Sequence, residues 1–265
     1  MNSEKKPNIT PTPGGPYLVK YLKNLNKVAL LRNSRNIGIP SVTRAAEQSI
    51  TAGAHGITVH PRPDQRHIRT SDVYELSRHL RNFPSVEFNI EGNPFPEFLE
   101  MVRRIKPAQC TLVPDGPDAV TSDHGWNLDE ERQRLEPIIA ELHDIGARVS
   151  LFMDVDSDQW RVAREIGAER VELYTQPYAE AFARNDSESV LVKYAAAATA
   201  AQSAGLGVNA GHDLNLRNLG QFCQIPGILE VSIGHALVAD ALEMGFSNAV
   251  RAYVAVLAGS SCETA

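Results

Sequence analysis

Eight short strand-patterned segments alternate with helix-patterned segments along this chain, and no other feature limits its fold as tightly. The strand patterns run Tyr21–Lys27, Ile57–Val59, Val86–Ile90, Cys110–Val113, Arg148–Met153, Arg170–Tyr174, Gly207–Ala210 and Leu229–Ile233. Helical spacing follows each of them. Val42, Ala45, Ala46 and Ile50 recur behind the N-cap candidate Ser41, and Leu135, Ile138, Ile139 and Leu142 form an apolar face that stops at Gly146. Strict strand–helix order implies parallel pairing through right-handed crossovers. Eight such units in 265 residues suit a closed barrel of about 250 residues better than an open sheet. No G-x-G-x-x-G follows the first strand, which argues against a dinucleotide-binding domain. The expected fold class is therefore α/β, a (β/α)8 TIM barrel with extra helices. It occupies residues 21–258 as one domain, between a polar, Pro/Gly-rich N-terminal tail over 1–20 expected to be disordered and a short tail over 259–265.

Composition narrows the partners. No apolar run approaches the ~18 residues that a membrane span needs, and the N-terminus has no signal-peptide pattern. A net charge of −6 argues against nucleic acid as the main partner, though not against a local pocket for a small anion. Cys110, Cys223 and Cys262 show neither metal spacing nor CxxC pairing, which points to a reducing, cytoplasmic setting.

In a barrel, the C-terminal strand ends converge on one mouth. The polar residues expected there are Asn24, Asn26 and Lys27 after strand 1, His60 after strand 2 and Glu87 within strand 3. Glu172 within strand 6, His212-Asp213 after strand 7 and Gly234-His235 after strand 8 complete the set. A carboxylate inside an apolar strand is costly unless partnered, so Glu87 and Glu172 either line a site or pair with a helix. The loop after strand 2, H-P-R-P-D-Q-R-H, is stiffened by Pro61 and Pro63 and carries Arg62 and His67. The loops N-A-G-H-D and S-I-G-H-A stand where barrels commonly grip phosphate through backbone N–H groups and a helix N-terminus. The polar loop Asp115–Asn127 is the lid candidate.

These motifs together resemble the pyridoxine 5′-phosphate synthase family. The similarity rests on G-I-T-V-H-P-R-P-D-Q-R-H-I, Glu87, V-T-S-D-H-G-W, V-S-L-F, V-E-L-Y, N-A-G-H and I-G-H-A, in order from about Tyr21 to Leu257. The resemblance implies an octameric barrel enzyme that needs no cofactor or metal. It implies that 1-deoxy-D-xylulose 5-phosphate is joined to 3-amino-2-oxopropyl phosphate by ring closure. It further implies His60 and Glu87 as proton acceptors, His212 as proton donor and Glu172 as a transition-state stabiliser. Asn24, Arg35, Gly234 and His235 would hold the amino-ketone phosphate, and Arg62, His67 and Thr121 the deoxyxylulose phosphate. Asn26-Lys27 and Asp213 depart from the common Asp-His and Gly of the family and match a variant branch.

Two other readings stand beside this one. A metal-dependent barrel hydrolase would use His60, His212, His235 and Glu172, but strand 1 lacks an H-x-H pair. A barrel that binds a phosphorylated metabolite without turnover is kept open by Asn26, Lys27 and Asp213. Lys27 serves either as a phosphate partner or, less favourably, as a Schiff-base lysine, since the substrate brings its own amine.

Overall fold

Alternation of side chains along each strand sets the architecture. In β1 (Lys20–Asn24), Lys20, Leu22 and Asn24 share one face, and Tyr21 and Lys23 the other. Seven more strands follow: β2 (Gly56–Val59), β3 (Glu87–Gly92), β4 (Gln109–Leu112), β5 (Arg148–Met153), β6 (Arg170–Tyr174), β7 (Gly207–Gly211) and β8 (Ile228–Ile233). Each pairs in parallel with the next, and β8 returns to β1, so the barrel closes. The computed structural model describes residues 19–119 and 121–259. The expected tails therefore fall almost wholly outside the described residues, with Lys20 already inside β1.

The helices of the first half are α1 (Asn26–Asn33), α2 (Val42–Thr51), α3 (Thr70–Leu80), α4 (Pro96–Ile105) and α5 (Leu128–Asp144). Those of the second half are α6 (Trp160–Glu165), α7 (Gln176–Ala183), α8 (Ser187–Ser203), α9 (Leu219–Phe222), α10 (His235–Met244) and α11 (Phe246–Leu257). Local chemistry starts several of them. Ser41 accepts a hydrogen bond from Arg44 N at the head of α2, and Asn127 accepts one from Asp129 N at the head of α5. Asn24 Oδ1 accepts from Asn26 N at 2.9 Å, which ends β1 and begins α1. Asn26 and Lys27, expected at the end of a strand, thus lie in the first turn of a helix.

Outward strand residues such as Ile57, Val59, Ile90, Leu112, Leu151 and Val171 are fully buried in one apolar cluster with the helices. The inward face is polar. Asn89 Nδ2 donates to Thr58 Oγ1 at 3.3 Å, and Thr111 Oγ1 donates to Asn89 Oδ1 at 3.1 Å. At the N-terminal floor of the barrel, Glu230 accepts hydrogen bonds from Gln109 Nε2 (2.8 Å), Asn209 Nδ2 (3.1 Å) and Arg170 Nη1 (3.0 Å).

Glu87 belongs to this floor, which corrects the expectation that it serves the mouth. It is the first residue of β3 and is held by Lys20 and Arg148. Burial pushes its carboxyl up, but Arg148 and the hydrogen bonds from Lys20 and Arg148 outweigh that and hold it down at about 2. A folded pKa below the ordinary 4.5 stabilises the protein above that value, and the stabilisation is lost as pH falls through about 2. Acid titration of stability should therefore show this loss, and Glu87→Gln should flatten it. Superimposable acid limbs for the two proteins would contradict the pairing.

Candidate active site

Glu91, not Glu87, is the carboxylate that β3 delivers to the mouth. Glu87, Asn89 and Glu91 share the inward face, and four residues at ~3.3 Å each place Glu91 about 13 Å nearer the C-terminal rim. It lines a cavity of about 560 Å³ together with His60, Glu172 and His212. Asn24, Asn26, Lys27, Arg62, His67, Thr121, Asp213, Gly234 and His235 also line it. Arg35 does not. It follows the last turn of α1 and is exposed, while its neighbour Arg32 turns inward to Asp72, with Nη2–Oδ2 at 2.8 Å. Gln176 and Ser232 line the cavity without having stood out in the sequence, and only their positions beside strand ends could have marked them. Arg66, on the loop after β2, and Ser122, in the lid candidate, line it too.

Backbone and side-chain contacts aim the acid–base groups. His60 N donates to Asn26 Oδ1 at 2.9 Å, and His60 Nδ1 lies 3.8 Å from Glu91 Oε2. Glu172 is buried against Gly211, where any side chain would collide with its carboxylate. The turn after β7 is strained, with φ 85° at His212 and 57° at Asp213. Thr175 Oγ1 donates to the Gly211 and His212 carbonyls, and Asn218 Nδ2 to that of Asp213 at 3.2 Å, which pins the turn. The left-handed backbone at 213 explains why glycine suits this place, and aspartate is among the few other residues that tolerate it. The His212 ring rests against Phe152 and Tyr174, with centroids 5.4 and 5.2 Å away.

The loop after β2 is built as a rigid arm. Arg62 Nη2 pairs with Asp115 Oδ2 at 2.5 Å, and Nη1 donates to the Ala119 carbonyl at 2.9 Å. Ser122 Oγ donates to the same Asp115 oxygen at 2.6 Å, so Arg62 ties the lid candidate to the mouth. The far end of that segment is anchored too, with Gly125 N donating to Asp154 Oδ2 at 3.0 Å. Asn33 and Arg32, at the end of α1, both donate to the His67 carbonyl. His67 Nδ1 accepts from Ile68 N at 2.9 Å, so its neutral ring carries the proton on Nε2.

Electrostatics divides the acid–base groups into two kinds. Burial, then the charges of Glu172 and Asp115, pushes Glu91 well above the carboxylate range. Burial, then Glu230, raises Glu172 to about 8. Burial, then Arg62, His67 and His212, holds His60 well below the usual imidazole value. Burial lowers His212 against the pull of Asp213, and burial with Arg62 and Lys27 takes His67 to about 4. With Glu172 raised to about 8 and His67 lowered to about 4, groups on both sides of neutrality share the site. Among the described residues, no group of three or more His, Cys, Asp or Glu is placed to hold a metal ion.

A deep polar hollow at the C-terminal mouth of a closed (β/α)8 barrel defines the class, an α/β-barrel enzyme. Solved barrels agree on the fold alone: phosphoribosyl anthranilate isomerase from Thermus thermophilus superposes with a TM-score of 0.56 at 15% identity, over 91% of this chain and 99% of that one. Sequence goes further, since the family model described as pyridoxal phosphate biosynthesis protein PdxJ matches residues 22–259. The chain belongs to that family and is an enzyme of pyridoxal phosphate biosynthesis. The pyridoxine 5′-phosphate synthase of Albidiferax ferrireducens is 54% identical over 245 residues, covering 90% of this chain and 97% of its own. That of Xanthomonas campestris pv. campestris is 52% identical over 250 residues, covering 91% and 97%.

Proposed function

We propose that this enzyme is a pyridoxine 5′-phosphate synthase, condensing 1-deoxy-D-xylulose 5-phosphate with 3-amino-2-oxopropyl phosphate. The observation that carries the reading is the convergence of His60, Glu91, Glu172 and His212 on one cavity, between the Arg62 arm and the β8–α10 turn. The amine adds to the ketone and water leaves to give an imine. Loss of phosphate and further water then accompanies ring closure. Each step moves a proton, and groups poised on both sides of neutrality suit that traffic.

In this reading His60 and Glu91 accept protons, with Glu91 in the role that the family resemblance attached to Glu87. Their 3.8 Å separation suits a relay that tightens when substrate enters. His212 returns a proton, and Glu172 stabilises charge across the ring. Arg62, His67 and Thr121 hold the deoxyxylulose phosphate. Asn24, Gly234 and His235 hold the amino-ketone phosphate, and Asn26, Lys27 and Asp213 touch the substrate chains. Ser232 Oγ, buried on the cavity wall with no partner among the described residues, is a further donor there. We also propose a cytoplasmic homo-octamer, supported by the exposed apolar side chains Leu30, Leu31, Ile37 and Ile39 beside the mouth. Among the described residues, no helix is long and apolar enough to cross a membrane.

Chelator-treated protein mixed with both phosphorylated substrates should yield pyridoxine 5′-phosphate, read by liquid chromatography and mass spectrometry. Binding of both substrates without product would replace this reading with a non-catalytic one. Light scattering on the same sample should give an octamer mass, and a monomer mass would remove the assembly.

A further inference from the structure

Lys23 is a fully buried lysine on the outward face of β1, away from the cavity. Among the described residues no carboxylate pairs with it. Its Nζ donates to the Gly234 carbonyl at 3.2 Å and lies 5.9 Å from the centre of the Phe246 ring. An ammonium buried without a counter-charge is costly, and burial lowers this one to about 7. The apolar layer would be served better by an aliphatic side chain, so the cost calls for a return elsewhere.

That return lies on the other side of one peptide bond. In a trans peptide the carbonyl and the following N–H point in opposite directions. A Gly234 carbonyl drawn outward to Lys23 therefore turns the His235 N–H inward, to the cavity that Gly234, His235 and Ser232 line. His235 is also the first residue of α10, whose N-terminus has no side-chain cap. Its free N–H groups favour an anion.

We propose that Lys23 is a positioning residue for the β8–α10 phosphate socket. It locks the Gly234–His235 peptide with its N–H toward the ligand and sets a positive charge behind it, which the bound phosphate then balances. This rests on the reading of that end of the cavity as a phosphate site. The residue touches no substrate and moves no proton.

Calorimetric titration with inorganic phosphate, alongside steady-state kinetics with each substrate, tests the role in native protein, K23M and K23R. Methionine keeps the volume and removes both charge and donor, so K23M should fold at least as well. Its phosphate affinity at one class of site should fall about tenfold, the worth of one charge-assisted contact. KM should rise for one substrate only, with kcat within about twofold, and K23R should restore most of the affinity. Phosphate binding and both KM values unchanged in K23M and K23R would overturn the inference. A native protein that makes no pyridoxine 5′-phosphate, while K23M still loses phosphate affinity, would sink the reaction assignment and leave Lys23 standing.

Discussion

Glu91→Gln is expected to lower kcat by ~10²-fold or more while the barrel stays folded. Glutamine keeps the shape of the side chain and most of its hydrogen bonding. It cannot take up or release a proton. Glu91 sits 3.8 Å from His60 Nδ1 at the rim end of β3, its carboxyl already pushed upward by burial and by the charges of Glu172 and Asp115. The substitution removes a buried ionisable group, so the folded state should lose no stability from lost charge. Rapid-mix assays give kcat, and a thermal melt by circular dichroism gives the fold. Glu87→Gln is the internal contrast, because it disturbs the floor and not the mouth. Turnover lost in Glu87→Gln and kept in Glu91→Gln would reverse the assignment of the two carboxylates.

Glu230→Ala should be the most destabilising single change in the barrel interior, at about 3–5 kcal/mol. Glu230 is 1% exposed and accepts from Gln109, Asn209 and Arg170, with Arg148 Nη2 3.9 Å away. Removing it leaves the Arg170 guanidinium, whose side chain is 13% exposed, without its carboxylate partner. Domains of this kind hold only ~5–15 kcal/mol in total, so the loss is a large share. Glu230→Gln keeps one oxygen that can accept from Gln109 Nε2 and Asn209 Nδ2, while its amide nitrogen cannot accept from Arg170, so it should fall between native and alanine. Urea denaturation at neutral pH gives the order. An alanine variant with the native midpoint would mean that the floor adds no stability.

The barrel could be read from the chain because its outward positions obey a simple rule. Nearly every outward strand residue is apolar, Lys23 being an exception, and helix starts at Ser41 and Asn127 carry their own caps. His60, Glu172, His212 and Gly234-His235 were legible because each stands at or near the end of an apolar strand run. Glu87 and Glu91 could not be told apart in that way. They are the same residue type on the same face, and the expected strand stopped at Ile90; the observed strand runs on to Gly92, which makes Glu91 its inward residue nearest the rim. Asn26 and Lys27 continued an alternating pattern that the Asn24 turn in fact breaks. Arg35 lies past a helix end whose direction no local pattern states. Lys23 was silent because an isolated lysine in a short strand looks like a solvated one. Its burial comes from the β8–α10 turn and α11 packing over β1, a contact between parts of the chain more than 200 residues apart.

The ionic floor also decides how molecules travel. Fully buried Asn89, Thr111, Gln109 and Ser150 fill the interior beneath the hollow, so among the described residues the vestibule is plugged toward the floor and opens toward the rim. Reactants cannot enter from opposite ends. Whichever reactant seats deeper has to arrive first, and anything formed behind it has to wait for the doorway to clear. Sequential arrival and departure is thus the expected consequence of the plugged cylinder, before any loop moves.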